Sequence, residues 1–279
     1  MIFQKLIWAA LTTALIVGSV QSGVQQWQAM PIILAAEAYE GQKIATTVTP
    51  VVPVTPVTHA HAKGVAEEHA HDHTATAEEW LPSNGAERIF WTWVANVLHA
   101  FSMAMLVFAV MGVCLWRGTA LASMPLALIV AAAGWLSFHF WPSLGLHAEI
   151  PGMDAARLSP RQLWWALGAI SAALACVSLA TLRKPLSMVV AAVWLALPFF
   201  VGVPHIATDP LAGFSGPAQL ALRDLGEQFI WATTWASLSF WASMGLVSGA
   251  AFQHWLRPAL KATFEGDRSI STSSPAVNL

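Results

Sequence analysis

Residues 89–116 read IFWTWVANVLHAFSMAMLVFAVMGVCLW, and this stretch decides the fold class. It contains no Asp, Glu, Lys or Arg, and as a helix rising 1.5 Å per residue it can cross the roughly 30 Å hydrocarbon core of a bilayer. Aromatic residues stand at its start, and Trp116 precedes Arg117 at its end, which is typical of membrane–water interfaces. The stretch therefore predicts a transmembrane helix.

The whole 279-residue chain shares this apolar character, with 56% hydrophobic and only 10% charged residues. Soluble domains carry about 25% charged residues, so the composition indicates a membrane protein that lies in the lipid bilayer. The net charge of −2 and the lack of a basic cluster give no sign of nucleic-acid binding.

Uncharged apolar runs long enough to span a bilayer occur six times, at 6–36, 89–116, 121–141, 163–182, 186–203 and 229–252. We therefore predict an all-α polytopic membrane protein built as a bundle of six transmembrane helices. Residues 89–256 would form a five-helix membrane core, and 257–279 a short polar cytoplasmic tail. In the last run, Gly245 and Gly249 have the GxxxG spacing that allows close helix approach, although ordinary apolar helices also contain it.

The first run allows two interpretations. Lys5, the apolar residues 6–20 and the small residues Gly18 and Ser19 could belong to a signal peptide, which would leave five spans. The uncharged character continues to Ala36, however, beyond any plausible cleavage site. We therefore favour residues 1–36 as an uncleaved first transmembrane helix.

Residues 37–88 form the longest predicted loop. Its TTVTPVVPVTPV segment at 46–57 is typical of an extended linker. The stretch HAHAKGVAEEHAHDH follows at 59–73 and holds five of the ten histidines. Imidazole and carboxylate together suit divalent ions such as Co²⁺, Ni²⁺, Cu²⁺ and Zn²⁺. The stretch therefore predicts a metal-binding segment, although a merely soluble, proton-titrating loop is the alternative. The candidate ligands are His59, His61, His69, His71, His73, Glu67, Glu68 and Asp72.

The distribution of positive charge predicts the orientation. With the N-terminus inside, inner loops hold seven Lys and Arg residues and outer loops hold six. Two of those six, Lys43 and Lys63, belong to the long loop and carry little weight for topology. The histidine-rich loop is therefore expected to be extracytoplasmic, and it would be so whether the first run is cleaved or not.

His99 is the histidine that the sequence places near the middle of a span. Asn96, His99 and Met103 follow steps of three and four residues, so they share a helix face. Polar side chains at this depth usually face a bundle interior or an aqueous pathway. A metal ligand or pathway residue is one interpretation of His99, with Asn96 and Met103 in support, and a hydrogen bond between helices is the other.

Further candidate ligands lie where the third and fifth runs end. His139, His147 and Glu149 follow each other at the first position, and His205 and Asp209 lie at the second, among prolines that interrupt the helix. Irregular backbone at a membrane edge is tolerated where it lines a cavity. If the two loops meet, three histidines and two carboxylates would form a metal-binding mouth. Ordinary interfacial histidines are the alternative.

Motifs for enzymatic chemistry are absent. The chain has no GxxxxGK[ST], HExxH or CxxC sequence, and Cys114 and Cys176 both lie in apolar runs. We therefore expect neither an enzyme nor catalytic residues, and no permanently bound cofactor.

Several long segments resemble the cobalt transporter subunit CbtA family. They are MIFQKLIWAALTTALIVGSVQSGVQQWQ (1–28), NGAERIFWTWVANVLHAFSMA (84–104), FHFWPSLGLHAEIPGMDAARL (138–158), GVPHIATDP (202–210) and WASLSFWASMGL (235–246). The resemblance implies cobalt uptake linked to vitamin B12 (cobalamin) synthesis, in a bacterial inner membrane. It also implies a small single-span, His-rich partner subunit of the CbtB type. The family is usually described with five spans, and the doubtful first run explains the difference from six.

The expected function is therefore a subunit of a Co²⁺ importer, with outer histidines and carboxylates capturing the ion. The choice of Co²⁺ over Ni²⁺ or Zn²⁺ depends on the resemblance alone. A different interpretation is an extracytoplasmic metal-binding accessory protein that supplies another transporter.

Overall fold

The computed structural model describes residues 2–43, 82–83 and 85–264, and the regular elements in these ranges are all helices. They are α1 (Ile2–Gln28), α2 (Met30–Glu40), α3 (Ala86–Trp116), α4 (Ser123–Trp135), α5 (Trp141–Ser143), α6 (Leu158–Thr181), α7 (Leu186–Val201) and α8 (Gly216–Ala251). Two π-helical turns interrupt the regular α-helix. The first, π1 (Leu136–Phe140), joins α4 to α5, and the second, π2 (Phe252–Leu256), extends α8.

All six predicted apolar runs lie mainly in helices, which confirms the all-helical class. The first run is not one helix as predicted, because α1 ends at Gln28 and α2 begins at Met30. Within the described residues, four helices are long and apolar enough to cross a membrane: Ile2–Gln28, Ala86–Trp116, Ser123–Ser143 and Leu158–Thr181. Helix α7 is apolar but shorter. Helix α8 is long, yet its Ser, Thr and Trp residues between 231 and 243 lower its hydropathy. Six membrane crossings therefore remain a prediction.

The first helix packs against both α3 and α8. Small side chains make this possible, because Ala10 and Ala14 of α1 and Ala104 of α3 are completely buried. The closest approach is at Gly18, where an added Cβ would lie 2.7 Å from the Cα of Val97. Only glycine allows the α1 and α3 backbones to lie this close.

The GxxxG spacing near the end of the chain is used in the same way. Helix α4 packs along α8, and a Cβ on Gly245 would lie 3.0 Å from the Cβ of Ala131. A Cβ on Gly249 would lie 2.8 Å from the sulfur of Met124. The two glycines therefore form the contact surface for α4, as the spacing predicts.

A second hydrophobic cluster lies at the end of the bundle away from residue 2, and we call it the distal cap. It joins the end of α2, the loop before α6, the loop after α7 and the start of α8 through buried apolar side chains. These are Ala36, Ile150, Leu211, Phe214, Ala218 and Leu222. The cap holds together the two loops that carry His147, Glu149, His205 and Asp209.

Candidate metal-binding residues

The predicted ligands from His59 to His73 lie outside the described residues, but both flanks of that segment are placed. On one flank, Lys43 Nζ donates to Asp154 Oδ1 at 2.6 Å and to the Gly152 carbonyl oxygen at 3.1 Å. On the other, the Arg88 guanidinium donates to Glu37 Oε1 at 2.8 Å. The chain therefore leaves α2 and enters α3 at the distal cap.

The two loops that carry the other outer candidates meet each other. The backbone N–H of Asp154 donates to the carbonyl oxygen of Pro210 at 2.7 Å. Ile150 and Leu211 also pack in the same hydrophobic cluster. Backbone contact and apolar packing thus fix the loops, whereas their polar side chains point to separate partners.

The two carboxylate ligands predicted in these loops are both in ion pairs. Glu149 Oε2 accepts from Arg161 Nη2 at 2.6 Å. Asp209 accepts from Arg223, from Gln219 Nε2 at 3.1 Å and from the Leu211 backbone N–H at 3.0 Å. Each of these carboxylates therefore already has an arginine partner.

The two loop histidines are exposed. His205 Nδ1 lies 3.0 Å from the carbonyl oxygen of Val203. In the tautomer protonated at Nδ1, Nε2 is the nitrogen able to bind a metal. Across residues 2–43, 82–83 and 85–264, however, no three His, Cys, Asp or Glu side chains are grouped so that they could hold one ion. His147 and His205 could therefore each bind a metal ion only as a single ligand from the described residues.

His139 has a different setting, inside π1. Its Nε2 atom is buried and has no hydrogen-bond partner among the described residues. The same holds for Nε1 of Trp135, whose ring centroid lies 6.3 Å from that of His139. An unpaired buried polar group costs about 1–3 kcal/mol, so such groups usually meet a ligand or water. π-turns within α-helices are frequent at functional sites.

The three residues predicted to share a face of α3 make different contacts. Asn96 Nδ2 donates to Ser22 Oγ at 3.0 Å and to Gln25 Oε1 at 2.7 Å, so it links α3 to α1. His99 is exposed, and its ring centroid lies 5.2 Å from that of Phe240 on α8. Met103 packs against the hydrophobic core. Asn96 thus makes the interhelical hydrogen bond that the sequence left open for His99.

The side-chain amides of α1 were not among the candidates predicted from the sequence. Three of their atoms are buried without a partner in the described part of the chain: Gln21 Oε1, Gln26 Nε2 and Gln28 Oε1. The segment QSGVQQWQ at 21–28 carried this signal, but the absence of charge from 6–36 made the run look uniformly apolar.

A helical bundle with four helices able to cross a bilayer defines a polytopic membrane protein. A family model described as probable cobalt transporter subunit (CbtA) matches residues 3–253. Because the match covers most of the chain, the protein belongs to this family. Comparison with curated proteins and with solved structures gives no match.

Proposed function

We propose that this protein is the membrane-spanning subunit of a Co²⁺ importer in a bacterial inner membrane. It would take the ion at the distal cap and pass it inward through the helix bundle. The observation that carries this proposal is the buried, unpartnered Nε2 of His139 within a candidate span. A neutral imidazole nitrogen at that place can bind a borderline divalent cation.

The distal cap would be the capture side. Both flanks of the histidine-rich segment are held there by the ion pairs of Lys43 and Arg88. His147 and His205 lie in loops at the same end. A tethered chelating segment raises the local metal concentration near these loops without forming the pathway itself.

The membrane potential can supply the driving force. Moving two positive charges inward is worth about 4.6 kcal/mol per 100 mV, so accumulation does not require ATP hydrolysis. The family description as a subunit implies a partner. We propose that this partner is the small single-span His-rich protein of the CbtB type, and that the cobalt serves cobalamin synthesis.

A second candidate function is an accessory protein that collects metal for another transporter. It is favoured by two observations: Glu149 and Asp209 are paired with arginines, and the described residues contain no grouped metal site. In that case the segment 59–73 would bind metal, but the bundle would not conduct it.

Uptake into vesicles distinguishes the two functions. The protein and its partner are reconstituted together, and ⁵⁷Co²⁺ entry is measured under an inside-negative potential, with Ni²⁺ and Zn²⁺ as competitors. An importer gives potential-dependent uptake that His139→Ala abolishes. His254→Ala is the matched control, because His254 also lies in a π-turn but is exposed at the other end of the bundle. Absence of uptake despite metal binding by the protein would support the accessory function.

A further inference from the structure

Helix α1 carries a row of polar side chains in its half nearer the distal cap. Gln21, Gln25 and Gln28 follow steps of four and three residues, so they lie on one face of the helix. Ser22 is buried beside them. Val20 is on the exposed side of the same turn. The polar row therefore faces the protein rather than the surroundings.

This row occupies a gap between the two hydrophobic clusters. The last α1 residue in the main core is Val17, and the next cluster begins with Ile32 and Ala36 in α2. Between them, the buried face of α1 offers amides and a hydroxyl group. This face of α1–α2 thus presents an apolar region, then a polar region, and then the apolar distal cap.

The polar region is only partly satisfied by hydrogen bonds within the described part of the chain. Gln25 Oε1 accepts from Asn96 Nδ2 at 2.7 Å, and Ser22 Oγ donates to the Gly18 carbonyl oxygen at 2.9 Å. The oxygens Gln21 Oε1 and Gln28 Oε1 are buried without a partner among the described residues. Since buried polar atoms nearly always have partners, these two acceptors call for a donor beyond the described residues, such as water.

We propose that the amide row lines a hydrated track, in which a divalent cation is held through its own bound water molecules. Water bound to a divalent cation is a strong hydrogen-bond donor, and Gln21 Oε1 and Gln28 Oε1 are the acceptors that it would meet. Neutral amides bind such a hydrated ion weakly enough to release it, as conduction requires. That the cation is cobalt rests on the proposed function.

The position of the row gives the track a direction. Its inner end lies at the level of Asn96, because Asn96 donates to Ser22 Oγ. Val97, the residue after Asn96, lies against Gly18 of α1. His99 follows Asn96 by three residues, which is almost one helical turn further along α3. The track would therefore lead from the distal cap towards the depth of His99.

Cysteine accessibility tests the proposal. In a background of Cys114→Ala and Cys176→Ala, the variants Gln21→Cys and Gln28→Cys are treated with a membrane-impermeant methanethiosulfonate reagent. The control is Val20→Cys, one residue before Gln21 and on the exposed face of the helix. Only a hydrated thiol forms the reactive thiolate, so the two track positions should react about tenfold or more faster than the control. Added Co²⁺ should slow their labelling and leave the control unchanged.

Labelling of neither Gln21→Cys nor Gln28→Cys, in variants that elute as the native protein does on size exclusion, would overturn the hydrated track. Labelling that Co²⁺ does not slow would overturn the cation assignment. Both results are independent of transport. If vesicles take up ⁵⁷Co²⁺ but neither track cysteine is labelled, the import function stands and the hydrated track is wrong. If the track cysteines are labelled and protected by Co²⁺ but vesicles take up no ⁵⁷Co²⁺, the track stands and the import function is wrong.

Discussion

The backbone N–H of Asp154 donates to the carbonyl oxygen of Pro210 at 2.7 Å, and this bond joins the two loops that carry His147 and His205. The loops meet through backbone and apolar contacts. Their carboxylates form ion pairs instead, Glu149 with Arg161 and Asp209 with Arg223. Contact between the two loops therefore does not bring their candidate ligands together in one metal site. The roles of the carboxylates have to be separated from those of the histidines by substitution.

Separate substitutions of Glu149 and of Arg161 test whether the Glu149 carboxylate is a metal ligand or only part of a structural ion pair. As a structural ion pair with both side chains partly exposed, it contributes about 0–1 kcal/mol to the free energy of unfolding. Glu149→Gln and Arg161→Gln are therefore both expected to leave ⁵⁷Co²⁺ uptake close to wild type. If Glu149 instead binds the ion, Glu149→Gln should lose uptake, whereas Arg161→Gln, which frees the carboxylate, should retain or increase it.

Deletion of residues 59–73 is expected to lower uptake at scarce metal and to spare it at abundant metal. The reason is that a tethered chelator raises the local concentration of the ion without forming the pathway. The measurement is the dependence of initial ⁵⁷Co²⁺ uptake on concentration, with a glycine–serine segment of equal length as control. Loss of uptake at saturating cobalt would place the segment in the pathway and contradict this prediction.

Gly18→Ala is expected to destabilise the bundle by about 1–3 kcal/mol, as is usual for overpacking. The added Cβ would lie 2.7 Å from the Val97 Cα, so α1 and α3 would have to separate. Gly23→Ala is the matched control on the same helix, because no atom lies within 4 Å of its added Cβ. Thermal unfolding in detergent measures both. Equal stability of the two variants would show that the close approach does not matter.

The helices could be predicted from the sequence because an uncharged run of sufficient length is a local property. The GxxxG spacing of Gly245 and Gly249 is also local, and the structure decides between its two interpretations in favour of close helix approach. Partners distant in sequence could not. Asn96 pairs with Gln25 on another helix, and nothing in either segment identifies the other.

The surroundings of the candidate ligands also depend on features that composition does not encode. The segment LSFHF gives no sign that it forms a π-turn or that the Nε2 of His139 is left without a partner. Glu149 and Asp209 look like free ligands until the fold brings an arginine to each. The glutamines of 21–28, by contrast, were visible in the sequence, and only their burial needed the structure.

His99 is more exposed than expected for a polar residue near the middle of a span. It lies against Phe240 with ring centroids 5.2 Å apart, and it is exposed on the bundle surface. The interhelical hydrogen bonds of this region belong to Asn96, which bonds to Ser22 and Gln25. Removing the imidazole therefore breaks no hydrogen bond described for His99, and the bundle should tolerate its loss.

His99→Gln is accordingly expected to keep membrane abundance and thermal stability near wild type, and to abolish ⁵⁷Co²⁺ uptake if the imidazole binds the ion. Glutamine retains hydrogen-bonding groups but is a poor ligand for borderline cations, which prefer imidazole nitrogen. Asn96→Leu serves as the contrast, because it leaves Gln25 Oε1 without its donor. This variant is expected to lower the thermal stability, which His99→Gln should leave unchanged. Uptake and unfolding are measured on the same preparations. Wild-type uptake in His99→Gln would exclude a ligand role for His99 and leave His139 as the intramembrane imidazole that the ion could meet.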